Sequence, residues 1–220
     1  MALKQFSLIF MLFSLGVDAT VFTLQNKCRN TMWPGILTAT GKPQLIDVVW
    51  PLLGPARVRA FDTSGNGKCV TGDCGGKLKC AGAGGEPPAS LAEFTLDSKE
   101  GDFYDVSLVD GYNMPVSIIP SRVSGMCKEV KCRSDLNKNC PAGLEVRNIK
   151  GRVVGCKSAC MAFNKPEYCC TGDFNSPKKC QPSSYSKVFK ASCPMAYSYA
   201  YDDATSTFTC HGANYLIRFC

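Results

Sequence analysis

The chain has 220 residues, 15 cysteines and a formal net charge of +7 at pH 7. This length is enough for one domain with a proper hydrophobic core, and the cysteine content is typical of an oxidising compartment where disulfides persist. One histidine and no CxxC pair exclude a zinc finger or ribbon, while scattered basic residues without an arginine-rich block exclude a nucleic-acid-binding protein.

Residues 1–19 have the pattern of a secretory signal peptide. Lys4 precedes an apolar run over residues 6–17, and residues 17–19 supply the small side chains that a signal peptidase needs. The run is shorter than the roughly 20 apolar residues of a transmembrane helix, and no later stretch approaches that length. The sequence therefore predicts a soluble, extracytoplasmic protein after cleavage.

The first part of the mature chain predicts one strand and a small lobe. Thr20 to Lys27 alternates like an edge strand. Further on, Arg57 and Arg59 share one face, where one of them can neutralise nearby carboxylates. Gly65 to Cys80 is rich in Gly and Cys, but it has a single GxG and no following helix, so it is not a phosphate-binding loop. It predicts a small lobe held by disulfides.

The stretch Leu91 to Pro115 predicts a β-hairpin with two opposed carboxylates, because apolar and polar residues alternate along both halves. If the hairpin is symmetric about Lys99, Glu93 lies directly across from Asp105, with Cβ atoms about 5 Å apart. Like charges so placed are destabilising unless a cation lies between them or one carboxyl keeps its proton, which indicates a functional site. The alternative is a merely solvated sheet face, and a register slip of one residue would remove the pair.

Residues 127–193 are rich in Cys, Lys, Asn and Pro, so disulfides must hold them together. Two short helices are predicted there, one within Lys157 to Phe163 and one capped by Ser183-Ser184. Three later segments read as strands: Met195 to Tyr201, Ser206 to Thr209, and Tyr215 to Phe219. Runs of strands without alternating helices predict an antiparallel sandwich.

The segment GNGKCVTGDCGGKLKC, at residues 65–80, matches the signature of thaumatin-like proteins at every defined position. The chain resembles that family from about Thr20 to Cys220, through LAEFTL, DFYDVSLVDGYNMP, SRVSGMCKEVKC, NKNCPAGL, GCKSAC, EYCCTG, SYSKVFKASCP, AYSYAYDDATSTFTC and NYLIRFC. The resemblance implies a mainly β protein, a flattened antiparallel β-sandwich with two disulfide-rich lobes and short helices. It places the sandwich at about 20–60, 90–126 and 194–220, the small lobe at about 61–89 and the larger lobe at about 127–193.

In that family a cleft between the sandwich and the larger lobe is lined by an arginine, a glutamate and three aspartates. The resemblance places them at Arg59, Glu93, Asp105, Asp110 and Asp202. Asp203 is the alternative to its neighbour Asp202 within the same DD pair. The resemblance agrees with the hairpin argument and favours an acidic, carbohydrate-binding cleft without a metal or cofactor.

The resemblance also implies seven disulfides and one unpaired thiol, at Cys69. The pairs are Cys28–Cys220, Cys74–Cys80, Cys127–Cys210, Cys132–Cys193, Cys140–Cys156, Cys160–Cys169 and Cys170–Cys180. The usual partner of Cys69 would lie in a few residues that this chain lacks just before Phe61. A longer segment is missing near residues 45–46, for which we expect local disorder or an exposed edge within residues 45–60.

From these features we expect an antifungal defence protein, secreted to the apoplast or stored in the vacuole, that binds β-1,3-glucan and disturbs fungal walls or membranes. The carboxylates of an acidic cleft accept hydrogen bonds from sugar hydroxyls. The net positive charge favours binding to anionic surfaces such as membranes, and we expect no nucleic-acid partner. We expect a monomer unless Cys69 pairs between chains.

Three alternatives remain open at this point. The first is a weak endo-β-1,3-glucanase with Glu93 as the acid and Asp105 as nucleophile or base, which requires a raised pKa of Glu93. The second is a protein-binding role, as inhibitor of a foreign hydrolase or as a taste-active surface. The third is a poorly folded product with little activity, because of the shortened N-terminal half.

Overall fold

The structure is a computed structural model that describes residues 19–37, 61–80, 84–122 and 127–220. Its strands are β1 (Phe22–Asn26), β2 (Leu91–Ser98), β3 (Gly101–Ser107), β4 (Val116–Ser121), β5 (Val130–Lys131), β6 (Glu145–Arg147), β7 (Val153–Cys156), β8 (Phe208–Cys210) and β9 (Asn214–Phe219). The helices are short: α1 (Ala159–Phe163), α2 (Pro166–Cys169), α3 (Ser184–Ser192) and α4 (Asp203–Ser206). The predicted mainly β class is confirmed.

Two sheets carry the sandwich. One has the strand order β1-β9-β4-β5 and the other the order β2-β3-β8, while β6 and β7 form a separate hairpin in the larger lobe. Apolar residues at every second position of β2 and β3 face the first sheet, as the alternation of the sequence predicts. The opposite face of β2 and β3 therefore carries mostly polar residues, together with Phe103.

An aromatic cluster joins the two sheets. Phe22 and Tyr215 come from the first sheet, and Phe94 and Tyr104 come from the second. Their ring centroids lie 4.8 Å apart for Phe22 and Phe94, 4.9 Å for Phe94 and Tyr215, and 5.4 Å for Tyr104 and Tyr215. Tyr215 is completely buried, and its phenol donates to Asp102 Oδ2 at 2.9 Å, so the polar end of the ring is satisfied inside the core. This packing fixes which face of the hairpin points outward.

The antiparallel sandwich contains a parallel pairing, at an edge of the first sheet. β1 pairs with β9 in parallel, with Phe22 opposite Tyr215 and Asn26 opposite Phe219. Parallel neighbours need a long connection, and here almost the whole chain separates the two strands. β1 is nevertheless an edge strand, as its sequence predicts.

The prediction of a strand over Met195 to Tyr201 is wrong. The segment consists of turns and bends, with one parallel bridge between Tyr197 and Ser107. Asp202 Oδ2 accepts hydrogen bonds from the backbone N–H and hydroxyl of Ser198 at 2.9 and 2.8 Å. Such local side-chain bonds compete with a sheet ladder and close the chain into turns. Ser206, predicted as part of a strand, is the last residue of α4.

Both predicted helices of the larger lobe are present. The hydroxyl of Ser158 accepts the N–H of Met161 at the start of α1, and that of Ser183 accepts the N–H of Ser186 at the start of α3. These are N-cap bonds, which satisfy backbone donors that the first turn leaves without a partner. The predicted capping pair thus marks the start of α3, whereas Ser158, the cap of α1, lies inside the span predicted for the first helix.

Seven disulfides join the described cysteines in pairs. They are Cys28–Cys220, Cys74–Cys80, Cys127–Cys210, Cys132–Cys193, Cys140–Cys156, Cys160–Cys169 and Cys170–Cys180, the same pairs that the family resemblance implies. Cys28–Cys220 ties the region of β1 to the end of β9 across 192 residues of sequence. The signal peptide, Arg59 and the shortened segment within residues 45–60 lie outside the described residues.

Cys69 is the free cysteine of the described residues. It is half-buried, and burial together with the charge of Asp73 raises the pKa of its thiol. The thiolate is the form that reacts with alkylating reagents. Cys69 should therefore react slowly at neutral pH and faster as the pH rises.

We expect alkylation of the native, unreduced protein to attach one label, at Cys69, with a rate that increases above pH 8. Peptide mapping by mass spectrometry identifies the labelled residue, and a Cys69→Ser variant is the control that should take no label. A monomer that takes no label at any pH would contradict the assignment of a free thiol.

Candidate functional site

The outward face of β2 and β3 is the floor of an open groove. Glu93 pairs directly with Asp105 in the antiparallel register, and Thr95 pairs with Phe103 one step along. This is the register that symmetry about Lys99 predicts, so the expected opposition of two carboxylates is confirmed. The groove has a volume of about 550 Å³ and is lined by Leu91, Glu93, Phe94, Thr95, Phe103, Asp105, Ser107, Val109, Asp110, Tyr197, Ala200 and Asp203.

Two loops form the sides of the groove. Asp110 lies in the turn that follows β3, where Gly111 adopts a φ of +84° and has its N–H bonded to the carbonyl of Leu108. Tyr197 belongs to the segment after α3, and that segment is attached to β3 by two backbone bonds. Leu108 N–H donates to the Tyr197 carbonyl at 2.9 Å, and Tyr197 N–H donates to the Val106 carbonyl at 2.8 Å.

The groove is strongly acidic. Glu93, Asp105, Asp110 and Asp203 line it, and no Lys, Arg or His is among its described lining residues. Asp105 Oδ1 is buried and has no hydrogen-bond partner in the described part of the chain. An unpaired charge in such a position is costly, and the protein can reduce that cost by keeping a proton on the carboxyl.

The acidity of the opposed pair is shifted accordingly. Burial, followed by the charge of Glu93, a hydrogen bond to Glu93 and the charge of Asp203, raises the pKa of Asp105 from its ordinary 3.8 to about 7. Burial also raises the pKa of Glu93, against the opposing effect of a hydrogen bond with Ser107. Glu93 is the more exposed of the two, and its bond with Asp105 favours its charged form. The shared proton therefore resides on Asp105.

Most of the predicted site residues lie together, with one exchange. Glu93, Asp105 and Asp110 line the groove as predicted from the family resemblance. The residue that lines it from the DD pair is Asp203, whereas the carboxylate of Asp202 is bonded to Lys190 at 2.9 Å behind the groove wall.

Sequence reasoning missed several groove residues. Tyr197 donates its phenol O–H to Asp203 Oδ1 at 3.0 Å and also contacts the hydroxyl of Thr207. Burial is the main cause that raises the pKa of Tyr197 to about 12. Phe103 and Ser107 line the groove because they alternate with the core residues of β3, a signal that the sequence did contain.

No group of three or more His, Cys, Asp or Glu side chains within the described ranges is arranged to hold a metal ion. In the same ranges, no helix is long and apolar enough to cross a membrane. The chemistry of the groove therefore has to be argued from its carboxyl, hydroxyl and aromatic groups.

Comparison with known proteins gives consistent matches. A sequence model of the Thaumatin family matches residues 56–220. "Pathogenesis-related thaumatin-like protein 3.5" of Cryptomeria japonica is 54% identical over 94% of this chain and 92% of its own length. "Pathogenesis-related protein 5" of Arabidopsis thaliana is 52% identical over 97% of this chain and 95% of its own. Among solved structures, the thaumatin-like xylanase inhibitor TLXI matches with a TM-score of 0.41 and 19% identity, covering 91% of this chain and 99% of that one.

The raised pKa of Asp105 makes stability depend on pH. A carboxyl whose pKa is higher in the folded state stabilises the fold below its unfolded pKa, and this contribution is lost as pH rises through the folded pKa. We therefore expect the free energy of unfolding to fall between about pH 4 and pH 7, the window between the ordinary and the raised pKa of Asp105.

Denaturant unfolding of the wild type and of Asp105→Asn across that range measures the effect. The variant should lose most of the decrease, whereas Asp173→Asn, an exposed aspartate outside the groove, should keep it. An identical pH dependence in Asp105→Asn and the wild type would show that Asp105 does not hold the proton.

Proposed function

This chain belongs to the thaumatin family, and from that membership we propose that it is a secreted antifungal defence protein that binds β-1,3-glucan in its acidic groove. Relatives named as pathogenesis-related support the defence role. Secretion is supported by the signal pattern of residues 1–19 and by seven disulfides, which persist in oxidising compartments. The observation that carries glucan binding is the opposed pair Glu93 and Asp105 on the floor of the groove.

The groups that line the groove suit a neutral sugar chain. Carboxylates accept hydrogen bonds from sugar hydroxyls, and a carboxyl that keeps its proton can also donate one. Thr95, Ser107 and Tyr197 add hydroxyls, and Phe103 offers an aromatic surface beside them. An open groove of about 550 Å³ admits a linear chain from the side, which suits a polysaccharide better than a small molecule in a closed pocket.

A second part of the proposal concerns anionic surfaces of the fungal cell. Residues 127–193 contain 13 Lys and Arg and 5 Asp and Glu, which gives this segment a net charge of +8. The whole chain has a net charge of +7, so the rest of the chain is close to neutral. The basic residues are therefore less evenly spread than the whole-chain pattern suggested. Ile149, at the tip between β6 and β7, is fully exposed next to Lys150. A positive surface with an exposed apolar tip favours contact with an anionic membrane.

We expect the double variant Glu93→Gln, Asp105→Asn to be retained on insoluble β-1,3-glucan at least about tenfold less strongly than the wild type, because hydrogen bonds to charged groups contribute about 1.5–3 kcal/mol each. Sedimentation of the protein with particulate glucan over a range of glucan concentrations measures the retention.

The matched control is Glu167→Gln, Asp173→Asn, which makes the same charge change on the larger lobe, away from the groove-lining residues. It should be retained like the wild type. Equal retention of the groove variant and the wild type would remove the groove from the mechanism.

A second candidate function is weak hydrolysis of β-1,3-glucan. It is favoured by the pKa of Asp105, which near 7 suits a general acid. The roles expected from the sequence are then reversed, because Asp105 holds the proton and Glu93 is the ionised partner. However, catalysis also needs a protonated acid and an ionised partner placed around the glycosidic bond, and the first cause of the raised pKa of both Glu93 and Asp105 is burial. Binding needs only groups in the groove that form hydrogen bonds with sugar hydroxyls, and it is therefore the better supported function.

We expect no release of reducing sugar from laminarin by the wild type beyond that of the Glu93→Gln, Asp105→Asn variant, assayed at pH 5 and pH 7. The variant serves as the inactive control, because a contaminating glucanase would release the same amount of reducing sugar in both samples. Activity present in the wild type and abolished by Asp105→Asn alone would establish catalysis.

A further inference from the structure

The wall of the groove that carries Tyr197 and Asp203 has little sheet structure of its own. The segment from Ala196 to Ser206 is attached to β3 through the bridge between Tyr197 and Ser107, and the rest of it runs through turns into α4. Turns of this kind have few ladder bonds and rely strongly on side-chain hydrogen bonds. The position of Asp203 therefore depends on what lies behind the segment.

The ammonium group of Lys190, on α3, lies behind it. Its Nζ donates to the carbonyl of Ala196 at 3.0 Å, to Asp202 Oδ2 at 2.9 Å and to the hydroxyl of Ser206 at 2.8 Å. A lysine ammonium has three N–H donors, so all of them are used. The three acceptors come from the start, the middle and the end of the wall segment, which folds around this one group.

Asp202 is engaged on both of its oxygens. Oδ2 accepts the backbone N–H and the hydroxyl of Ser198 at 2.9 and 2.8 Å in addition to Lys190, and Oδ1 accepts the hydroxyl of Thr205 at 3.1 Å. Its side chain is 12% exposed. The next residue, Asp203, is exposed and accepts a hydrogen bond from the phenol O–H of Tyr197. The two neighbouring aspartates therefore have different surroundings.

This ion pair also differs from the others within the described ranges. The lysine and aspartate side chains are 25% and 12% exposed, whereas Lys131–Glu129, Arg147–Glu145 and Lys165–Glu167 are all more exposed and contribute little to stability. A partly buried pair is sensitive to the removal of one partner, since the other charge is then left without compensation.

We propose that Lys190 and Asp202 are positioning residues, which hold the wall segment so that Tyr197 and Asp203 face the ligand, and that Asp202 makes no contact with the glucan. The proposal rests on the proposed function for the identity of the ligand. Its structural part, the control of Tyr197 and Asp203 by Lys190, is independent of any ligand.

The test combines a spectroscopic signal with glucan retention. The protein is produced with 3-fluorotyrosine, and the ¹⁹F resonance that is missing in Tyr197→Phe is assigned to Tyr197. In Lys190→Met this resonance should move toward the position of an unfolded tyrosine, and glucan retention should fall about tenfold, comparable to the effect of supporting residues at metal sites. Lys187→Met, an exposed lysine of the same helix, should change neither signal.

Two further variants separate positioning from contact. The double variant Lys190→Met, Asp202→Asn should recover part of the Tyr197 signal relative to Lys190→Met, because no uncompensated charge remains. Asp203→Asn should lower retention by removing a contact with the sugar. An unchanged Tyr197 resonance in Lys190→Met would overturn the proposal, as would an Asp202→Asn variant that loses retention while its Tyr197 resonance stays in place.

Failure of the proposed function gives a different result. If the wild type is not retained on β-1,3-glucan, the ligand is wrong, and the ¹⁹F signal of Tyr197 in the Lys190 variants still decides whether the pair positions the wall. A general loss of folding is recognised from the remaining tyrosine resonances, which should stay in place in Lys190→Met.

Discussion

The register between β2 and β3 is the constraint on which the site depends. The inward face of this hairpin packs Phe94 and Tyr104 against Tyr215 of the opposite sheet, so the outward face has to carry Glu93 and Asp105. A shift of one residue would bury the carboxylates and expose the aromatic rings, at a cost of several kcal/mol for each buried charge. Core packing therefore holds together two carboxyl groups that would otherwise separate.

The parts of this arrangement that follow from local patterns could be predicted from the sequence. Strand alternation gave the hairpin and its register, and the capping residue Ser183 gave the start of α3. The same reasoning failed for residues 195–201, which alternate like a strand. Their conformation depends on bonds to Asp202 and, from a different helix, Lys190, and such long-range partners leave no periodic signal in the sequence.

The choice between Asp202 and Asp203 shows the same limit at the scale of the site. Two adjacent carboxylates are equivalent in a sequence. The family resemblance identifies the Asp202-Asp203 pair, but it does not decide which of the two aspartates lines the groove. In the structure, the ammonium group of Lys190 forms an ion pair with Asp202, whereas Asp203 lines the groove and accepts a hydrogen bond from Tyr197. One partly buried donor group therefore decides which aspartate is available for a ligand, and no composition or spacing rule contains that information.

The separation of charge over the molecule bears on the class of ligand. The groove has four carboxyl side chains and no basic residue among its described lining residues, while residues 127–193 carry a net charge of +8. An anionic polysaccharide would be repelled by the groove and attracted to the larger lobe, whereas a neutral glucan is free to enter the groove. Because the pKa of Asp105 is raised to about 7, the floor offers both a donor and acceptors to sugar hydroxyls below that pH, without placing two full charges side by side. The same proton reduces the repulsion within the opposed pair of the hairpin, so one feature both relieves the local electrostatic cost and suits the groove to a neutral, hydroxyl-rich chain.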